Sequence, residues 1–135
     1  MLTQTKRYKV ITEDSSKDRQ LSGLLNIISS NLLLVTQVLR HVYGIKAIQE
    51  LELTSRKARS IAKILLSTSN DLGKQDLQER ISFIKHKLLA LVNELTEELS
   101  KIDTDKNLSK KALEDIILAR RLLRESQRGL ITIQD

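Results

Sequence analysis

The sequence predicts an all-α protein, an antiparallel up-down-up-down four-helix bundle, and three observations lead to that prediction. Apolar residues recur at alternating steps of three and four along four long stretches, which places them on one face of a helix. The chain has no proline and four glycines, so little in it interrupts a helix. Aromatic residues make up 2% of the chain, and helical bundles fill their cores mainly with leucine, isoleucine and alanine. The helices are expected at about 16–42, 45–71, 75–102 and 108–128.

The first helix is expected to be the central member of the bundle because further apolar residues beside its seam make a face too broad for a solvated helix. Ser15 and Asp18 have the spacing of a capping box, so the helix is predicted to begin there, after a basic N-terminal arm at 1–14. Gly23 costs roughly 1 kcal/mol relative to alanine inside a helix, and we interpret it as a point of close contact with a neighbour. The seam residues are Leu21, Leu25, Ile28, Leu32, Val35, Leu39 and Val42.

The second helix differs from the first because the middle of its seam is small. Small side chains let two helices approach closely, so the bundle is expected to be tightest there. Gly44 and Gly73 are predicted to end the first and second helices. The seam residues of the second helix are Ile48, Leu51, Ser55, Ala58, Ala62 and Leu65.

The third and fourth helices carry seams of the same spacing. Gly129 is predicted to end the fourth helix, so that the bundle spans 15–129 and a short β-like tail occupies 130–135. This tail could pair as a strand with Tyr8–Thr12. In an alternative architecture, two long hairpins complete their bundle by dimerising. The third seam is Leu77, Ile81, Ile84, Leu88, Leu91, Leu95 and Ile102; the fourth is Ala112, Ile116, Ala119, Leu123, Ser126, Leu130 and Ile133.

Composition limits the classes of partner and location. The net charge of +6 favours acidic partners such as nucleic acid, an anionic surface or an acidic protein. The absence of cysteine excludes disulfides, thiolate nucleophiles and cysteine-ligated metals. The longest uninterrupted apolar run, Leu32–Val35, is too short to cross a bilayer, and the N-terminus lacks the pattern of a signal peptide. A cytoplasmic protein with no membrane partner is therefore expected.

No motif in the sequence predicts catalysis. Asp103, Asp105 and Asn107, with Glu114, occupy ligand positions of an EF-hand loop, but Leu108 stands where that loop requires glycine. We interpret the segment as an ordinary connecting loop. There is no catalytic triad, glycine-rich phosphate loop or inward-facing carboxylate set. A non-enzyme without cofactor, metal or small-molecule substrate is expected.

Histidine chemistry provides the weakest of three functional hypotheses. His86 lies midway along the third helix, off its seam, which is where a phosphotransfer bundle carries its histidine. The flanking residues match no such pattern, so a solvated surface histidine is the simpler interpretation.

Basic residues on the second and fourth helices support a nucleic-acid-binding hypothesis. They recur at helical spacing, so each set lies on one face and could follow phosphates. No aromatic residue is interleaved with them for base stacking. This candidate basic surface is Arg56, Arg59, Lys63, Arg120, Arg121, Arg124 and Arg128.

The leading hypothesis is a helical adaptor or regulatory protein that binds another protein and its own copy. Several large apolar residues lie outside the main seams, where they could form a patch for a partner. This candidate apolar surface is Leu24, Ile27, Leu33, Leu34, Val38, Leu66 and Leu118.

Overall fold

The computed structural model confirms the all-α four-helix prediction. It describes residues 2–40, 46–67, 74–102 and 108–134, with side chains from Ser16 onward in the first helix. Those residues contain no strand. The helices are α1 (Leu2–Arg40), α2 (Lys46–Ser67), α3 (Lys74–Ser100) and α4 (Lys110–Thr132).

The four helices surround one core, and each packs against two neighbours. Within the described residues α1 contacts α2 and α4, and α3 also contacts α2 and α4, so diagonal helices do not touch at the backbone level. The predicted seams supply the buried side chains: Leu32 and Val35 of α1 and Leu88 and Leu95 of α3 are fully buried. The heptad pattern in the sequence therefore identified most of the core, although Leu21, Ile102 and Ala112 are only partly buried.

Two contacts between α1 and α2 show the relative direction of these two helices. Ser22 of α1 donates to the carbonyl of Ala62 near the end of α2 (2.7 Å), whereas Arg40 at the end of α1 pairs with Glu52 early in α2 (2.8 Å). These two contacts place α1 and α2 in opposite directions. The up-down-up-down order of all four helices, and any completion by dimerisation, remain predictions.

The first helix begins earlier than predicted. The structure has α1 starting at Leu2, so residues 2–14 of the expected separate arm at 1–14 belong to this helix. The physical reason is that no proline or glycine precedes Gly23, so nothing interrupts the helix at the Ser15–Asp18 capping box. At 39 residues α1 is much longer than α2, which has 22.

The fourth helix ends later than predicted, and the β-like tail expected from residue 130 is wrong. Helix α4 passes through Gly129 to Thr132, and Leu130 and Ile133 are buried. These two residues continue the heptad seam, and their burial outweighs the cost of a glycine within the helix. Lys85 of α3 donates to the carbonyl of Ile133 (2.5 Å), which satisfies an acceptor at the end of α4.

The two described glycines have the opposite roles to those predicted. A Cβ built on Gly23 would meet no atom within 4 Å, so no close contact requires glycine there. A Cβ on Gly129 would lie 3.1 Å from Cδ1 of Ile28 and 3.4 Å from Cδ1 of Leu24. Gly129, which was expected to end a helix, therefore leaves room on α4 for side chains of α1.

Three sequence predictions fall outside the described residues. They are the turns at Gly44 and Gly73 and the EF-hand-like loop at 103–107.

One segment of the described chain, Ser16–Arg40, is long and apolar enough to cross a membrane, with a mean hydropathy of 1.5. The sequence-based exclusion of a span considered only uninterrupted apolar runs and overlooked it. The core helix of a soluble protein and a signal sequence near the N-terminus both pass the same test, and 39% of this apolar window is buried within the bundle. Such a helix is weak evidence for membrane insertion.

Candidate interaction surfaces

An open groove runs between α2 and α3, and we refer to it as the α2–α3 groove. It has a volume of about 610 Å³. Three large apolar side chains on its walls are exposed: Leu53 (62%), Ile64 (39%) and Phe83 (67%). Its lining residues are Leu53, Thr54, Arg56, Lys57, Ser60, Ile61, Ile64, Asp76, Glu79, Arg80, Phe83, Ile84 and Lys87.

The local sequence explains why these side chains are left outside the core. Leu53 lies two residues after the fully buried Leu51, which turns it away from the seam, and Phe83 directly precedes the buried Ile84. Ile64 likewise precedes the buried Leu65. The core therefore takes the seam residues and leaves a wall of apolar side chains beside it.

The charges on the groove are distributed unevenly along its length. Six residues separate the end of α2 from the start of α3, so the first turns of α3 lie near the end of α2. Asp76 and Glu79 on those turns therefore lie at the Ile64 end of the groove. Lys87 lies further along α3, toward Lys57 and the Leu53 end. Arg80 lies at the same end as Asp76 and pairs with it, so Glu79 supplies the net negative charge of that end, whereas Lys57 and Lys87 make the other end basic.

Surface ion pairing leaves part of this charge available. Arg80 pairs with Asp76 at 3.3 Å, and both side chains are exposed. Among the described residues, Lys57, Glu79 and Lys87 form no salt bridge. These three charges are free to pair with a bound partner.

The other side of α2 forms a smaller pocket with α1, of about 440 Å³. Polar groups close it: Glu52 accepts from Arg40 at 2.8 Å and from Arg56 at 3.1 Å. The hydrogen bond from Arg56, helped by the charge of Arg40, lowers the pKa of the Glu52 carboxyl from its ordinary value of 4.5 against the opposing effect of desolvation. Its lining residues are Ser30, Leu33, Leu34, Thr36, Gln37, Arg40, Glu52, Arg56 and Arg59.

The predicted basic row on α2 is largely engaged within the protein. Arg56 binds Glu52, and Nη2 of Arg59 donates to Oγ of Ser30 at 2.9 Å. Lys63 is exposed. The row that sequence spacing indicated is therefore a poor continuous surface for phosphates.

The predicted basic residues on α4 divide into two roles. Arg120 is half-buried and donates to the carbonyl of Leu99 at 2.7 Å, which satisfies an acceptor in the last turn of α3. Arg121, Arg124 and Arg128 are exposed and make no ion pair or side-chain hydrogen bond in the described part of the chain.

The candidate apolar residues also divide. Ile27, Leu34 and Leu66 are exposed, at 62%, 39% and 60%. The remaining four are partly buried: Leu24, Leu33, Val38 and Leu118. Of these, Leu24, Val38 and Leu118 pack against the core, so they contribute to the bundle itself. Leu33 and Leu34 line the α1–α2 pocket together.

Sequence reasoning missed the apolar wall of the α2–α3 groove. Leu53, Ile64 and Phe83 are absent from the predicted surface, although Phe83 is the only phenylalanine in the chain and lies off the third seam. An unusual residue type beside a regular seam was the available signal.

The remaining candidate residues lie on separate helices. His86 is exposed on α3, and Glu114 is exposed on α4. Two buried hydroxyls, those of Ser55 and Ser126, have no hydrogen-bond partner in the described residues. Both serines lie on seams, so their unpaired hydroxyl groups lower the stability of the core.

No model of a protein family, no curated protein and no solved structure matches this chain.

Proposed function

We propose that this protein is a non-enzymatic interaction module that associates with a second copy of itself through the α2–α3 groove. The observation that carries the proposal is the exposure of Phe83, beside Leu53 and Ile64, on the walls of an open groove. Exposed aromatic and large aliphatic side chains gathered on one concave surface are typical of protein–protein contacts. The broader expectation of an adaptor that binds another protein stays a prediction.

The distribution of charge favours a second copy as the occupant. In a twofold-symmetric interface each copy presents the same surface, so that surface must complement itself. Two grooves packed in opposite directions place the basic end of one, with Lys57 and Lys87, against the acidic end of the other, with Glu79. The apolar walls around Phe83 then meet near the symmetry axis.

The size of the apolar surface indicates a reversible association. Stable interfaces bury about 800 Å² on each partner, and three partly exposed side chains supply less apolar area than that. The dimer is therefore expected to dissociate on dilution, by mass action.

Sedimentation velocity across a wide range of protein concentration tests the proposal. The unchanged protein is expected to shift from monomer to dimer as its concentration rises. Phe83→Ser is expected to weaken the dimer at least about tenfold, the effect of losing an interface hot spot. Ile131→Ser is the matched control, because Ile131 is 62% exposed on α4 and does not line the groove.

A monomer at every concentration would overturn the proposal, as would equal effects of Phe83→Ser and Ile131→Ser. Charge reversal adds a second criterion. Lys57→Glu and Glu79→Lys are each expected to weaken the dimer by about two- to fivefold, the effect of an exposed pair, and the double variant is expected to recover most of that loss. A double variant weaker than either single variant contradicts the proposed pairing of groove ends.

A further inference from the structure

The outward face of α4 carries a regular stripe of five residues, which we call the α4 arginine face. Its members follow one another at steps of four, three, four and three, so they lie along one side of the helix. All five are exposed, including the two terminal isoleucines at 57% and 62%. The stripe is Ile117, Arg121, Arg124, Arg128 and Ile131.

The three arginines of this face differ from most others in the described chain. Arg56 and Arg80 form salt bridges with carboxylates, and Arg59 and Arg120 donate to neighbouring oxygens. The guanidinium groups of the α4 arginine face have no such partner within the described residues.

The acidic neighbours of the face leave its charge positive. Glu125 lies beside the stripe on the same helix, and Glu114 lies one turn before Ile117; both are exposed. Neither forms a salt bridge among the described residues. Three cations with one directly adjacent acid make a cationic surface on a helix that the bundle holds rigid.

We propose that the α4 arginine face binds the phosphate backbone of duplex nucleic acid without reading its bases. Arg121 and Arg128 lie about 10.5 Å apart along the helix axis. Each strand of a duplex presents about three phosphates over that distance. The long arginine side chains place the three guanidinium groups within reach of successive phosphates of one strand. Arginine suits this contact because its planar group donates two hydrogen bonds to a phosphate at once.

The chemistry of the face favours a duplex over a single strand. Proteins that bind single strands use aromatic side chains as stacking platforms for bases. The α4 arginine face contains no aromatic residue, and Phe83 lies on the separate α2–α3 groove. A duplex presents its phosphates at fixed spacing and requires no stacking.

Burial of the opposite side of α4 argues against membrane insertion. An interfacial helix places its apolar side in the lipid. In α4 that side supplies the core, where Ile116, Leu123 and Leu130 are fully buried. Insertion would require the bundle to open, whereas phosphate binding requires no change in the fold.

Fluorescence anisotropy with a labelled duplex DNA of arbitrary sequence tests the inference, measured over a series of salt concentrations. The triple variant Arg121→Gln, Arg124→Gln, Arg128→Gln is expected to bind at least about tenfold more weakly at low salt. The slope of log affinity against log salt is expected to fall in magnitude by about 2.7, at about 0.9 for each lost phosphate contact. Circular dichroism confirms that the variant is folded.

The matched control removes the same charge elsewhere: Lys17→Gln, Arg19→Gln, Lys63→Gln, all at exposed positions. It is expected to lose less than about threefold in affinity, since these residues do not form one face. Equal losses in the two triple variants would mean that only net charge matters and would overturn the inference. So would the absence of duplex binding by the unchanged protein at low salt, or retention on phosphatidylserine vesicles alone.

Discussion

The two sides of α2 differ in the space that they leave beside each neighbouring helix, a smaller pocket with polar groups toward α1 and a larger groove with apolar walls toward α3. Toward α1 the side chains at the contact are small and fully buried, as at Ala58 and Ala62, and Ser22 bonds across it to the Ala62 carbonyl. Toward α3 the helix presents Leu53 and Ile64 on the wall of a groove of about 610 Å³. The same seam spacing therefore accompanies two different kinds of surface.

The flanking residues differ between the two sides of α2, whereas the seam spacing does not. Beside α1 the flank is polar, and Arg40 and Arg56 both hold Glu52. Beside α3 the flank is apolar, and Phe83 is two-thirds exposed. A polar flank is satisfied within one chain, whereas an apolar flank gains free energy only when another surface covers it.

The largest expected difference in stability is between alanine variants of two leucines on α2. Leu51 is fully buried and Leu53 is 62% exposed. Leu51→Ala is expected to lower the free energy of unfolding by about 2–5 kcal/mol, because it leaves a cavity in the core. Leu53→Ala is expected to change the stability of the monomer by less than about 0.5 kcal/mol and to weaken association.

Urea denaturation of dilute protein, where the monomer dominates, measures both effects. Similar losses of stability in the two variants would mean that the groove wall is part of the folded core.

Enlarging a side chain on each side of α2 is expected to give the second-largest difference in stability. Ala62→Leu puts a large side chain into the fully buried α1–α2 contact and is expected to destabilise the fold by about 1–3 kcal/mol. Ser60→Leu enlarges an exposed residue on the groove side and is expected to leave monomer stability within about 0.5 kcal/mol. Thermal unfolding followed by circular dichroism measures both. If Ser60→Leu lowers the unfolding temperature more than Ala62→Leu does, the α3 side of α2 is packed more tightly than the α1 side.

The smallest effect is a pH dependence on the α1 side. The pKa of Glu52 is lowered from 4.5 in the folded protein, so this carboxylate stabilises the fold above that pH. The stabilisation is lost as the pH falls through the folded-state pKa. Because the pair is exposed to solvent, the change is small. Glu52→Gln is expected to narrow the difference between urea midpoints at about pH 7 and about pH 3.

The control is Glu50→Gln, which alters an exposed carboxylate outside the salt bridges of the described chain. If the difference between the urea midpoints narrows equally in both variants, the Arg40–Glu52–Arg56 contacts do not stabilise the packing of α2 against α1.

The heptad seams could be predicted from the sequence because core burial follows directly from helical periodicity. Leu32, Leu51 and Leu123 were all assigned to seams and all are fully buried. Helix ends were predicted less well, since local signals at Ser15 and Gly129 compete with the packing of the whole chain. Leu130 and Ile133 extend α4 because the core has room for them, and that information is not local.

The candidate surfaces were only partly predictable for a similar reason. Spacing placed Arg120, Arg124 and Arg128 on one face with Arg121 adjacent, and the structure leaves Arg121, Arg124 and Arg128 exposed. Spacing could not reveal that Arg120 binds the Leu99 carbonyl, because that contact joins residues 21 positions apart on different helices. The exposure of Phe83 likewise depends on how α2 and α3 flank each other.

Thiol labelling reports whether a second copy covers the α2–α3 groove. The chain has no cysteine, so Ser60→Cys places a single reporter in the groove and Glu114→Cys places one on the exposed surface of α4. As protein concentration rises, the labelling rate at position 60 is expected to fall while the rate at position 114 stays constant. A labelling rate at position 60 that does not change with protein concentration would mean that no second copy covers the α2–α3 groove.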